Sequence, residues 1–164
     1  MDRIDFDILN ALQNNARLSN KELSAEIGLA PSSCLERVRA LTRSGTLEGF
    51  HAEVSKSALA IGQEALVAIR MGRHSRDAFR RLWLHLQSLP EVMSILHVTG
   101  VNDLQVHVAV RDTEHLRTLI HDEFATRPEV DHCETAVIYQ RHRKHQWPCY
   151  AVEARPPARK KTRA

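Results

Sequence analysis

Hydrophobic positions change their period near residue 62. Before it they recur every three to four residues; beyond it, runs of period two alternate with runs of helical period. In the first part, Ile4, Ile8, Leu9 and Leu12 share one face of a helix that Asp2 can cap and that ends at Asn14-Asn15. Ser19 and Glu22 have the spacing of a capping box, and Leu18 and Leu23 that of the accompanying hydrophobic staple. Leu23 and Ile27 mark the inner face of the short helix that follows. Gly28 ends it, since glycine takes the left-handed conformation without a Cβ penalty. Pro31 opens a second helix and Gly45 closes it. At about 100° per residue, Pro31, Cys34, Leu35, Val38, Leu41 and Thr42 fall on its core side. Ser32, Ser33, Glu36, Arg37, Ala40 and Arg43 fall outside or on the flank. After Gly45, Phe50, Ala52 and Val54 alternate with His51 and Glu53, so that Leu47 to Val54 is predicted as the extended strand of a wing.

Beyond residue 62, Ala65 to Met71 is almost wholly apolar, as a central strand requires. Ser75 caps a helix with Phe79, Leu82, Trp83 and Leu86 inward, ended by Pro90. Val92 to Thr99 is a strand, and Gly100-Val101-Asn102-Asp103 a turn. Leu104, Val106, Val108 and Val110 alternate with Gln105, His107, Ala109 and Arg111 in a half-buried strand. Thr113 caps a helix with Leu116, Leu119, Ile120 and Phe124, ended by Pro128, and Val130 to Tyr139 is the last strand. Leu89-Pro90-Glu91-Val92 and Arg127-Pro128-Glu129-Val130 occupy the same helix-to-strand joint 38 positions apart, the trace of an internal repeat. Two strand–helix–strand halves in one sheet make a ferredoxin-like βαββαβ domain. The predicted class is therefore α+β: a winged helix-turn-helix at 1–54, a linker at 55–62, the ferredoxin-like domain at 63–140 and a basic tail at 141–164. Two helices cover one sheet face, and the other calls for a second subunit.

Charge changes this picture only at the end of the chain. Residues 1–62 carry seven basic and eight acidic side chains, residues 63–140 eight and eleven, and residues 141–164 eight and one. Any DNA affinity of the first domain must come from the placement of Arg37, Arg39 and Arg43 rather than from bulk charge. The tail, with Arg141, Arg143 and Lys144 and then Arg155 to Arg163, reads either as a solubilising terminus or as a non-specific DNA arm. Its Trp147 and Tyr150 are expected to dock on the sheet or on a partner subunit. Three separated cysteines, Cys34, Cys133 and Cys149, favour free thiols in a reducing cytosol. No apolar run is long enough to span a membrane, and Met1 to Asp5 does not read as a signal peptide.

No GxSxG elbow, P-loop or GxGxxG occurs, and no nucleophile stands beside a base, so no catalytic residue, cofactor or metal site is assigned. Of the ten histidines, His97 and His107 flank the turn, but no carboxylate or cysteine completes a ligand set. The outward face of 32–43 has small hydroxyls first and guanidiniums later, which suits entry into a major groove as well as a plain solvated face.

The runs DRIDFDILNALQNNARLSNKELSAEIGLAPSSCLERVRALTRSGTLEGFHAEV and HVTGVNDLQVHVAVRD resemble the leucine-responsive/asparagine regulator (Lrp/AsnC) family of bacterial and archaeal transcription factors. CLERVRALTRSG, Cys34 to Gly45, is the most diagnostic part, and Ala30 departs from the family's usual Ser or Thr before the proline. The resemblance implies a double-stranded-DNA-binding transcriptional regulator of the cytoplasm and nucleoid that responds to an amino acid or related molecule. It implies a homodimer, assembling to an octamer. The implied DNA-binding residues are Ser32, Ser33, Glu36, Arg37, Arg39 and Arg43. The implied effector-binding residues are Gly100, Asn102 and Asp103, with Thr99, Leu104, Thr135 and Ala136 on bordering strands. Val101 and Asn102 stand where the family usually has an acidic and an aromatic residue. The alternative is an architectural, chromosome-organising DNA binder with the same fold and no effector.

Overall fold

The computed structural model describes residues 1–72 and 75–151. Its chain divides into two compact units: Met1–Ala52 together with the segment from His142, and Glu53–Arg141. The expectation for the second basic cluster, Arg155 to Arg163, lies outside the described residues.

The first unit contains helices α1 (Arg3–Asn14), α2 (Asn20–Ile27) and α3 (Pro31–Arg43). Asp2 and Asp5 form a capping box on α1, and Ser19 and Glu22 one on α2, so both helix starts satisfy orphan N–H groups with their own side chains. Gly28 ends α2 with φ +75°, a conformation strained for any residue with a Cβ. Ala30 makes no side-chain cap for α3, and neither Ser32 nor Ser33 replaces it. Ile8, Ala11, Leu12, Leu23, Cys34 and Leu41 form the core, with Ile4, Leu9, Leu18, Ile27 and Val38 packed around it. Three residues placed on the core face of α3 lie outside it. Pro31 at its start is exposed. Leu35 is 37% exposed and Thr42 is exposed, its hydroxyl turned back to the Val38 carbonyl at 2.9 Å. Three short helices enclose too little volume to take up a face that wide. No strand forms at Leu47 to Val54, where the wing strand was expected; Phe50 and Val54 are exposed and lack a pairing edge.

The second unit holds β1 (Gln63–Met71), α4 (Arg76–Ser88), β2 (Val92–His97), β3 (Leu104–Val110), α5 (Thr113–Leu119) with a π-turn at Ile120–Ala125, and β4 (Val130–Val137). The sheet order is β2-β3-β1-β4 with every neighbour antiparallel, the ferredoxin-like arrangement. Asp112, not Thr113, caps α5: its Oδ1 accepts the His115 N–H at 2.8 Å, and Thr113 is already helical. Bonding from i to i+5 in the π-turn puts residues five apart on one side. Leu119 and Phe124 are accordingly both buried, whereas an α-helix would set them about 140° apart.

Ala65, Val67, Ile69 and Met71 of β1 and Leu104, Val106, Val108 and Val110 of β3 form a layer under Ala78, Leu82 and Leu86 of α4 and Leu116, Leu119 and Phe124. The opposite face carries Leu66 and Ala68 of β1, Gln105 and His107 of β3, Leu96 of β2 and Ala136 of β4, as the register dictates. No element of this unit covers it, and Leu66 and Leu96 are 39% and 55% exposed.

One buried charge on that face ties loops to strands. Glu64 is 7% exposed and pairs with Lys56 of the linker, with His107 Nε2 at 2.9 Å and with Arg141 Nη1 at 3.3 Å. The histidine contact lacks the alignment of a hydrogen bond. The linker is therefore not a free connector. Its Lys56 is held by Glu64, it forms a 3₁₀ turn at Ser57–Leu59, and the Gly62 N–H bonds the Val110 carbonyl at 3.1 Å.

Burial pushes the Glu64 carboxyl up, but Lys56 and His107 outweigh it and the group titrates below the ordinary 4.5. A folded value below the unfolded one adds stability that is complete at neutral pH and is lost as pH falls from about 4.5 through the lowered value. Glu64→Gln should therefore melt earlier than the wild type at about pH 7, and the gap should close toward about pH 3. A gap in melting temperature that stays constant with pH would contradict this role.

Candidate DNA-binding surface and candidate effector turn

Ser32, Glu36, Arg39 and Arg43 recur at i, i+4, i+7 and i+11, which makes one stripe along α3, and all four are exposed. Ser33 and Ala40 flank it and are also exposed. Cys34 and Leu41, buried on the other side, fix the rotation of the helix. Asn20 Nδ2 donates to the Pro31 carbonyl at 2.8 Å and so braces the α2–α3 turn from the side of α2. Arg39 pairs with Glu36 at 3.0 Å, a largely exposed contact that a phosphate can displace at little cost. Arg43 has no ion pair among the described residues and lies in the last turn of the helix. Hydroxyls at the start, one carboxylate between, and cations toward the end are thus held on one rigid rod facing solvent.

Arg37 does not join this stripe. Its Nη1 lies 2.8 Å from Asp2 Oδ2 and 2.8 Å from Asp5 Oδ1, both at the start of α1. The hydrogen bonds to Asp5 and Asp2 raise the guanidinium's affinity for its proton, while the Asp5 N–H and Arg37 hold the Asp2 carboxyl below the usual range. Arg37, one of the residues expected to read a base or a phosphate, thus makes a positioning contact to α1. Asp2 and Asp5 cap α1 and at the same time fasten α3 to it. The sequence contained this signal: Asp2 and Asp5 stand in one turn, and Arg37 lies at the edge of the outward face.

At the second candidate site, Gly100 takes φ +128° at an exposed turn, a backbone region that side-chain-bearing residues avoid. Thr99 is exposed and Asn102 half-buried. Asp103 closes the end of the sheet: its Oδ2 accepts the Met71 N–H at 2.7 Å and its own N–H donates to the Ile69 carbonyl at 2.8 Å. Leu104 is fully buried in the helix-covered core. Thr135 and Ala136 are exposed on β4, across β1 from the turn, paired with Val67 and Leu66. Successive side chains of a strand point to opposite faces, so the two do not look into one pocket. Within this unit the turn and β4 residues are not brought together. His97 and His107 are also apart: His97 packs against Phe79 with ring centres 4.7 Å apart and the ring planes tilted by 46°, and His107 faces Glu64.

Comparison with known proteins settles the family. Residues 1–48 match the description "Winged helix-turn-helix DNA-binding", and residues 64–148 match "Lrp/AsnC ligand binding domain". The leucine-responsive regulatory protein of Escherichia coli is 35% identical over 140 residues, covering 85% of this chain and 85% of that one. The chain belongs to the Lrp/AsnC family. Among its Lrp/AsnC relatives, the transcriptional regulator AldR of Mycolicibacterium smegmatis is 33% identical over 85% of this chain and 82% of its own. A transcriptional regulator of Neisseria meningitidis, solved as a complex with L-Met, superposes with a TM-score of 0.86 at 26% identity, covering 92% of this chain and 98% of that one. This Lrp/AsnC chain thus joins a DNA-binding domain to a ligand-binding domain. No helix among its described residues is long and apolar enough to cross a membrane.

The two arginine classes separate experimentally. Arg39→Ala with Arg43→Ala should weaken operator binding by about 1–3 kcal/mol for each arginine that reads a base, with the melting temperature unchanged. Arg37→Ala should lower the melting temperature of the first unit and lose DNA affinity with it. A gel-shift titration beside a thermal melt checks both; an Arg37→Ala protein as stable as the wild type would contradict the positioning role.

Proposed function

We propose that this chain is a sequence-specific transcriptional regulator that reads duplex DNA with the exposed stripe of α3, and whose DNA binding or assembly responds to an amino acid. It acts by binding rather than by catalysis. The observation that carries the reading is the rigid presentation of Ser32, Glu36, Arg39 and Arg43 in a helix-turn-helix joined to an Lrp/AsnC ligand-binding domain. The methionine complex of the Neisseria relative supports an amino-acid effector for this chain too. Exposed Leu66 and Leu96, with Ala68 and Ala136 beside them, support homodimer formation through the open sheet face, with an octamer as the higher assembly.

In this reading Gly100, Asn102 and Thr99 contribute backbone N–H groups and polar atoms to the effector, and Asp103 shapes the turn through Met71. One observation favours the alternative of an effector-free architectural protein: an Asp103 oxygen already receives a backbone N–H, and Val101, exposed in the turn, offers no charge to an ammonium.

Titration of each proteinogenic amino acid into the purified protein by calorimetry separates the two. One of them should bind at millimolar concentration or tighter and change operator affinity by several-fold to about a hundredfold, a coupling of about 1–3 kcal/mol. Asp103→Ala should abolish that change and leave basal DNA binding intact. A protein that binds DNA and no amino acid would be architectural.

A further inference from the structure

We propose that the C-terminal segment around Arg143 to Tyr150 is a second DNA contact, an arm carried on α1 that supplies sequence-independent attraction to phosphate. The proposal rests on the DNA-binding reading of the first unit and adds a surface that lies beyond the helix-turn-helix.

The helix-turn-helix is poorly charged for its task. Residues 1–52 carry six basic and seven acidic side chains, and Arg37, one of the six, is consumed by Asp2 and Asp5. Binding to duplex DNA draws much of its strength from neutralised phosphates, so these residues alone are short of cations. The missing charge returns from the other end of the sequence. The chain leaves the second unit at Arg141 and rejoins the first, where the Gln146 side-chain amide donates to Asn10 Oδ1 and the Trp147 N–H donates to Gln13 Oε1 at 2.7 Å. Asn10 and Gln13 are one turn apart on α1, away from its buried Ile8, Ala11 and Leu12.

Two polar contacts thus hold the segment, and its large side chains stay outside. Trp147 is 81% exposed and Tyr150 91%. Arg143 and Lys144 have no ion pair among the described residues. Two cations followed within a few residues by exposed aromatic rings suit a nucleic-acid backbone and its sugars better than they suit an internal strap.

Reach is adequate. Asp5, held by Arg37 of α3, and Asn10 are about 8 Å apart along α1. Arg143 and Lys144 lie within about 10 Å of chain from Gln146. Duplex DNA presents a charge about every 1.7 Å of its axis, so a backbone beside α3 offers several phosphates in that range. The rival use of the same cations is internal, since Asp7 and Glu26 line a groove of about 230 Å³ between α1 and α2.

The test uses the full chain and the double variant Arg143→Ala with Lys144→Ala, which keeps Gln146 and Trp147. Binding to a random duplex, and to a duplex selected by the wild type from a random library, is measured by fluorescence anisotropy between about 50 and 200 mM salt. Each lost phosphate contact should flatten the log–log salt slope by about 0.9, so two contacts cut the affinity lost over that range by about tenfold. Both duplexes should weaken by the same factor, with melting temperature and assembly mass unchanged. Identical slopes for variant and wild type overturn the arm, as does a variant that loses stability while keeping its slope, which would mark an internal strap. A wild type that binds neither duplex fails differently: it overturns the DNA-binding reading on which the arm depends.

Discussion

The arrangement of the DNA-binding unit turns on one guanidinium. Arg37 is shared by Asp2 and Asp5, and the same two carboxylates cap the first helix. A capping group and a charge partner are thereby one object, so the start of α1 and the middle of α3 are fixed together. The few buried side chains of so small a unit leave helix rotation weakly determined by packing alone. An ion pair drawing on both faces of the core restores that determination. The direction of the stripe 32–36–39–43 is set by the buried Cys34 and Leu41, and this pair adds a second tie between α1 and α3.

The second unit obeys a different constraint. A sheet with apolar residues on both faces needs two covers, and the chain provides α4 and α5 for one. The other face keeps Leu66 and Leu96 in solvent and places a buried carboxylate, Glu64, among Lys56, His107 and Arg141. Lys56 stands on the linker and Arg141 at the exit of the sheet, so both connections to the DNA-binding unit begin at one charge.

Much of this was legible in the sequence. Ser19, Glu22, Gly28, Pro31 and Gly45 marked helix ends because caps and left-handed turns are local chemistry, readable from a few neighbouring residues. Leu104, Val106, Val108 and Val110 marked a strand because its two faces differ. What escaped was non-local or cooperative. Arg37 looked free because its partners lie more than thirty positions earlier in the chain. Leu35 looked buried because a helical wheel shows a face but not how wide a groove receives it. The wing strand at Leu47 to Val54 had the right alternation and no edge to pair with. Trp147 and Tyr150 were expected to dock by type, on the sheet or on a partner subunit; in this chain both are exposed, and the segment is held by the amide of Gln146 and the N–H of Trp147. The Gly100–Asp103 turn was legible as a turn, and its use by Met71 was not.

The central claim is that the outward stripe of α3 lies in the major groove. Dimethyl sulfate protection of a duplex selected by the wild-type protein tests it directly, because guanine N7 faces the major groove and adenine N3 the minor. The account predicts that bound protein shields guanine N7 within the site, that Arg39→Ala with Arg43→Ala removes part of this shielding, and that adenine N3 beneath the helix stays reactive. Protection confined to adenine N3, or guanine N7 that reacts alike in free and bound duplex, would contradict it.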